Sequence, residues 1–348
     1  MPIFDQGYQH WSGQLSGHAW RWLAITRQGL RTGLTGRYLR LALLLAWLPA
    51  IVLAAMLCLW GLLERQSEYI ATFRPLLGFL DPAMLADPRE YRVVFWKLCY
   101  SYFLGIELWF SMVLILMVGP NLISQDLRYN ALPLYFSRPL RRFDYFFGKL
   151  GVIVALLCMV IIVPSIMAYV LGLLFSLDLT ILRDTFRILL ASIAYGLVIA
   201  LSAGLLILAL SSLSRNSRYI ALFWLGIWLV SSTTAGVLEL VNQEQRRHQS
   251  FASLVDSQAE ALESAESNWR PLISYTANLS RIGQQLLGTD AAWGRLSETR
   301  PESQRAEFLV DFQGFHYPWY WSAAVLVALA GLSLCILNFA IKSLDRLK

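Results

Sequence analysis

Glu107 is the one acidic residue well inside an extended apolar run, in SYFLGIELWF from Ser101 to Phe110. A carboxylate surrounded by hydrocarbon is costly, so Glu107 must face protein or water rather than lipid. Two roles fit it: a structural hydrogen-bonding group or a residue of a polar pathway. Further along, Ser231-Ser232-Thr233-Thr234 sets four hydroxyls in a row within another apolar stretch. Ser231 and Thr233 either line a polar route or bond back to their own helix. Catalytic motifs are missing. Gly148-Lys149 is preceded by FDYFF and followed by Leu150, and so lacks the glycines and the hydroxyl of a phosphate-cradling loop. No HExxH, GxSxG or Cys/His ligand spacing occurs, and His10, His18, His248 and His316 are scattered along the chain. Cys58, Cys99, Cys158 and Cys335 lie in apolar stretches and read as small buried hydrophobes. No catalytic residue, metal site or cofactor is expected in this chain. If it takes part in energy-driven work, the nucleotide site belongs to another chain.

The elements that carry these residues are set by composition. Of 348 residues, 57% are hydrophobic and 15% charged, an apolar surplus and charge deficit that exclude a purely soluble enzyme and point to an all-α polytopic membrane protein. About 20 apolar residues cross the hydrocarbon core as a helix. Six segments qualify, from Leu39 to Leu63, Val93 to Val118, Lys149 to Phe175, Ile188 to Ser211, Tyr219 to Leu238 and Trp319 to Ala340. The first 38 residues show no apolar core followed by a small-residue cleavage site, so the first span is expected to remain as an anchor. The chain then divides into a cytoplasmic N-terminal part (1–38), five spans (39–238) with a cytoplasmic loop at 119–148, an extracytoplasmic helical segment (239–317), and a sixth span with a cytoplasmic tail (318–348).

Charge fixes the orientation. With the N-terminus inside, the cytoplasmic side holds 15 of the 29 basic residues and only four of the 23 acidic ones, while the outer side is net acidic. Cytoplasmic loops retain Lys and Arg, so both termini are expected in the cytoplasm and the chain in the plasma (inner) membrane. The net charge of +6 is then an orientation signal, and nucleic acid is not expected as a partner. Membrane lipids are.

Outside the spans, Trp20, Leu23, Arg27, Leu30 and Leu34 recur at helical spacing. They suit an amphipathic helix lying in the inner interface, or simply the basic flank of the first span. Gly119-Pro120 is expected to end the second span, after which Asn121 caps a short helix to about Asn130. Pro139 falls where it could open the helix into the third span. Charges and exposed aromatics (Tyr129, Tyr135, Phe136, Phe143, Tyr145) make this loop read as a docking surface, the alternative being snorkelling by Arg138, Arg141 and Arg142. In the 239–317 segment, one amphipathic series runs through Phe251, Leu254, Val255, Gln258 and Leu262, and a second through Leu272, Tyr275, Leu279, Ile282 and Leu286. An aromatic belt follows at Phe312, Phe315, Tyr317, Trp319, Tyr320 and Trp321. Asn278-Leu279-Ser280 matches a glycosylation sequon. Within the spans, Pro49 and Pro164 should bend their helices. Ser192, Gly196, Ala200 and Gly204 form a small-residue ridge for close packing, either within the chain or between two copies.

Asp126-Leu127-Arg128, Leu132 to Leu134, Ser137-Arg138-Pro139-Leu140, Asp144-Tyr145 and Gly148-Lys149 together resemble the permease subunits of type-2 ABC exporters, and the six-span layout adds to the likeness. The resemblance implies a second permease, homodimeric or heterodimeric, and two separate ATP-binding subunits that carry ATP and Mg. It also implies that Asn121 through Asn130, including Gln125, Asp126, Arg128 and Tyr129, form a coupling helix supported by Arg138, Arg141, Arg142 and Asp144. A minor contact would come from Ser211 to Arg218, with Arg215 at its centre. The outer segment is longer than the re-entrant pair usual in that family. A non-transporting membrane scaffold that binds an extracytoplasmic protein is the other class that fits, and a channel is a weaker third.

Overall fold

The computed structural model describes residues 20–65, 80–132, 135, 140–176, 179–252, 268–301, 305, 308 and 317–345, with the backbone alone at 83, 142, 179, 242–252 and 341–345. Among the described residues all regular structure is helical. Six helices are long and apolar enough to cross a membrane: Arg37–Glu64, Arg92–Arg128, Phe143–Ser176, Thr180–Leu213, Ser217–Val241 and Trp319–Ala340, numbered here as spans one to six. The third begins six residues before Lys149, because the Asp144 carboxylate accepts from the Arg141 backbone N–H at 3.1 Å and starts the helix early. The fourth begins near Thr180 rather than Ile188, its polar first turns continuing the same ladder.

Prolines mark the irregularities. Span one breaks at Trp47 into Arg37–Ala46 and Leu48–Glu64, with Pro49 in the first turn of the second piece, where its missing N–H costs nothing. In span three the helix widens into a π turn at Cys158–Ile162 just before Pro164. Span five carries a second π turn at Gly226–Val230, next to Ser231, whose hydroxyl bonds back to the carbonyl of Ile227.

Span four is the hub. In its most apolar stretch 56% of residues are buried, against 17% for span six, which lies at the periphery. The small-residue ridge faces span three within the chain. A Cβ at Gly196 would meet Ile161 and Ile162 at 3.1 Å, one at Gly204 would meet Leu150 at 2.8 Å, and Ala200 is fully buried. Ser192 adds a hydroxyl contact of 2.8 Å to Ser165.

Helix α1 (Arg21–Leu34) lies across the start of span three. Within the series that the sequence picks out, Trp20 and Leu23 are exposed and Leu30 and Leu34 pack against the core, while Thr26, outside the series, is buried. Thr26 donates to the Gly148 carbonyl at 2.9 Å, and glycines at 29, 148 and 151 bring the two backbones together. At the opposite end of the bundle Arg92 clamps spans one, two and four. It donates to the Glu64 carboxylate at 2.7 and 2.9 Å and to Thr180 at 3.0 Å, while Trp60 donates to Glu64 at 2.8 Å. The four cysteines are free thiols: Cys58, Cys99 and Cys158 are half-buried, Cys99 against the core, and Cys335 is exposed.

Candidate functional site

Two polar assemblies stand out, one at the basic end of the bundle and one within it. The first is built on helix α2 (Asn121–Arg128), the last two turns of the second apolar segment, set off by a local interruption at Gly119 and Pro120 from the Arg92–Val118 helix, to which the name span two is kept from here on. The expected stop is a hinge rather than an end. Both residues keep right-handed helical backbone angles, and Asn121 lies inside α2, not in the cap position, which Pro120 holds. A proline cap supplies no side-chain acceptor, so the first N–H groups of α2 need partners from elsewhere. Ser211, fully buried near the end of span four, provides them. Its Oγ accepts from Ile123 at 3.0 Å and from Ser124 at 3.1 Å, and it donates to the Pro120 carbonyl at 3.1 Å. Gly119 is necessary here because any Cβ would collide with Ile207, one turn before Ser211.

The far end of α2 is closed by Asn130, whose φ of 51° is left-handed. This allows the Ala131 N–H to reach back to the Asp126 carbonyl at 2.9 Å, the six-to-one bond of a Schellman stop. Asn130 therefore has a backbone reason for its position. Asp126 ties α2 to span three: its Oδ2 takes a 2.7 Å ion pair from Lys149 and a 2.6 Å hydrogen bond from Tyr145. Tyr135 lies beside Tyr145, the rings tilted by 50° with 5.6 Å between centroids. Burial, and then the Asp126 charge, push the Tyr135 phenol above its ordinary pKa and keep it a neutral donor. Arg128, Tyr129 and Asn130 are left exposed at the outer end of α2, with Arg128 lying over the Tyr129 ring, while the exposed Asn121 and Gln125 turn toward α1. Arg141 is exposed nearby, and Asp144 is spent on starting span three. Arg138 lies outside the described residues, as does the side chain of Arg142.

The neighbouring connection is shorter than the sequence suggests. Ser211 to Leu213 still belong to span four, and only residues 214–216 form the turn, with Arg215 exposed at its tip. Asn216 then caps span five by accepting from the Arg218 N–H at 3.1 Å.

The second assembly centres on helix α3 (Tyr275–Leu287), which returns into the bundle after span five. The Tyr275 hydroxyl reaches Ser202, well inside span four, at 2.9 Å, and Gly283 lies flush on the Tyr195 ring. Gly288, with φ of 65°, turns the chain into helix α4 (Thr289–Glu298), which packs on span two. Lys97 donates to the Gly288 carbonyl at 3.3 Å, placing a cation at the C-terminal end of α3. The N-terminus of α3 is capped by Ser274, which accepts from Ala277 at 3.1 Å. Ser232 of span five joins it with contacts of 2.8 Å to Thr276 and 3.2 Å to Ser274. These hydroxyls open on a cavity of about 440 Å³ that also takes in Ser101, Tyr102, Trp109 and Ser280.

Of the two hydroxyls singled out in span five, Ser231 bonds back to Ile227 and accepts weakly from the Tyr275 N–H at 3.4 Å, and Thr233 bonds back to Leu229 at 2.8 Å. Neither lines the cavity. Ser232 does, and periodicity alone could not single it out, since its partners lie more than 40 residues away. Glu107 is fully buried on the face of span two that points away from the cavity, and neither carboxylate oxygen has a hydrogen-bond partner among the described residues. Asn278, of the sequon, is buried and donates to the carbonyls of Leu272 and Ser274, so it presents no amide for glycosylation in this fold. The first amphipathic series, Leu254 to Leu262, lies outside the described residues, as do Phe312 and Phe315. No protein-family model and no curated protein matches the chain.

Proposed function

We propose that the chain is the permease subunit of an ATP-driven exporter of the type-2 ABC class, paired with a second permease and with separate ATP-binding subunits. The observation that carries this reading is the mounting of α2. It is a short helix set beyond a membrane span on a proline hinge, backed by Ser211 and by the Asp126–Lys149 pair, with its polar outer end exposed. Such a mount suits a coupling helix that receives a push from a partner. In this reading both termini are cytoplasmic, α1 lies in the inner interface, and the segment from span five to span six, including α3 and α4, belongs to the outer side. ATP and Mg act in the partner chain.

The cavity between spans two and five beneath α3 is the part of this chain best fitted to the transport path, because it brings hydroxyls and aromatic rings together inside apolar helices. Closure of the partner ATPases would displace both α2 helices and, through packed helices, reopen the path between two permeases. The test is co-purification with the ATP-binding subunit. Arg128→Glu combined with Arg141→Glu should lower recovery of the complex by about tenfold while the permease stays folded, through like-charge repulsion and lost contacts at the interface. Full recovery of the complex would remove α2 as the coupling helix.

A further inference from the structure

A cavity of about 750 Å³ lies between α1 and α2, apart from the path described above. Its walls differ in kind. Buried Leu39 and half-buried Met117 and Val118, from the ends of spans one and two, make an apolar side. Facing them are the carboxamides of Gln28, Asn121 and Gln125, none hydrogen-bonded among the described residues. Asp126 and Lys149 line the same space. Lys149 and Tyr145 both use Oδ2 of Asp126, which leaves Oδ1 without a partner among the described residues.

We propose that this cavity holds the headgroup of a zwitterionic phospholipid bearing a primary ammonium, a phosphatidylethanolamine, with its acyl chains along the apolar wall. The occupant follows from charge complementarity. A neighbouring cation and anion fit a headgroup that carries both signs, with the ammonium donating to Asp126 Oδ1 and the phosphate accepting from Lys149 and the carboxamides. A purely anionic headgroup brings no cation to Asp126 Oδ1, and a choline headgroup has no N–H to give. Gly33 of α1 and Gly36 just after it leave the space open on that side. The inference does not rest on the exporter reading, since it requires only that these helix ends lie at a membrane surface.

Purified full-length protein, stripped of lipid in detergent, would be mixed with equal amounts of phosphatidylethanolamine, phosphatidylcholine and phosphatidylglycerol of matched chains, and retention read by native mass spectrometry. Phosphatidylethanolamine should be retained about tenfold over phosphatidylcholine, the value of one charge-assisted hydrogen bond. Equal retention of the two overturns the proposal, and this comparison needs no variant. Gln28→Leu with Gln125→Leu, both at exposed positions, should lower retention of phosphatidylethanolamine and phosphatidylcholine alike by removing donors to the phosphate, and unchanged retention of both would also overturn it. Soluble phosphoethanolamine should fail to compete at equal concentration; competition would show that a free headgroup, not a lipid, is the ligand.

Discussion

Ser211 and Glu107 show two opposite ways of burying a polar side chain in an apolar bundle. Ser211 is satisfied three times over, accepting from two backbone N–H groups and donating to the Pro120 carbonyl, which also takes the Ser124 hydroxyl. Replacing it with alanine strands the N–H groups, at about 2 kcal/mol. Ser211→Ala should therefore lower the thermal midpoint in nanodiscs by several degrees and loosen α2, seen as faster proteolysis after Arg128. Glu107 is the reverse case, a carboxyl with no partner among the described residues. Deleting an unsatisfied buried group in favour of an apolar one of similar shape is neutral or stabilising. If the group is only structural, Glu107→Leu raises the thermal midpoint and leaves partner-dependent ATPase activity intact. Raised stability with lost activity would assign it a working role. Glu107 stood out in the sequence because charge inside hydrocarbon is rare, whereas Ser211 did not, because a serine near a helix end has many ordinary explanations.

At the scale of elements, the spans were legible because a run of about 20 apolar residues has few alternatives to a membrane helix. What could not be read was which surfaces meet. The ridge from Ser192 to Gly204 was visible as a ridge, yet its partner, span three from Leu150 to Ser165, is fixed by packing between residues 27 or more apart in sequence. The periodicity of α3 was visible too, but not that it folds back to Ser202, because an amphipathic helix looks the same whether it lies on a bundle or in it. Gly283 is the contact on which that insertion turns, with a Cβ there lying 2.7 Å from the Tyr195 ring. Gly283→Val should push α3 away from span four. Disulfide trapping between cysteines placed at Ser202 and Tyr275 would then fall sharply relative to the same pair with Gly283 intact.

For the molecule as a whole, the uneven burial of the spans matters most. Span six, and with it spans five (22%) and one (28%), keeps most of its apolar surface clear of the other described residues, while spans two and four form the interior. The charge asymmetry predicts which end faces the cytoplasm, and this is checkable without any partner. A cysteine at Gln125 should react with a membrane-impermeant maleimide only after permeabilisation of cells, and one at Ala291, exposed on α4, should react in intact cells. The opposite pattern would invert the topology and with it the exporter reading.

The bond from Ser211 to α2 also decides where a mechanical load would travel. Pro120 interrupts the hydrogen-bond ladder between α2 and span two, while Gly119 and the first N–H groups of α2 rest on Ile207 and Ser211. Seen as a linkage, span two is the pivot and span four the pushrod. Force applied to the tip of α2 passes into span four, whose middle holds α3 through Ser202 and Tyr195. The stiff route from the basic end to the polar cavity runs along the most deeply packed helix, so the two ends can move in step without bending the span that joins them in sequence.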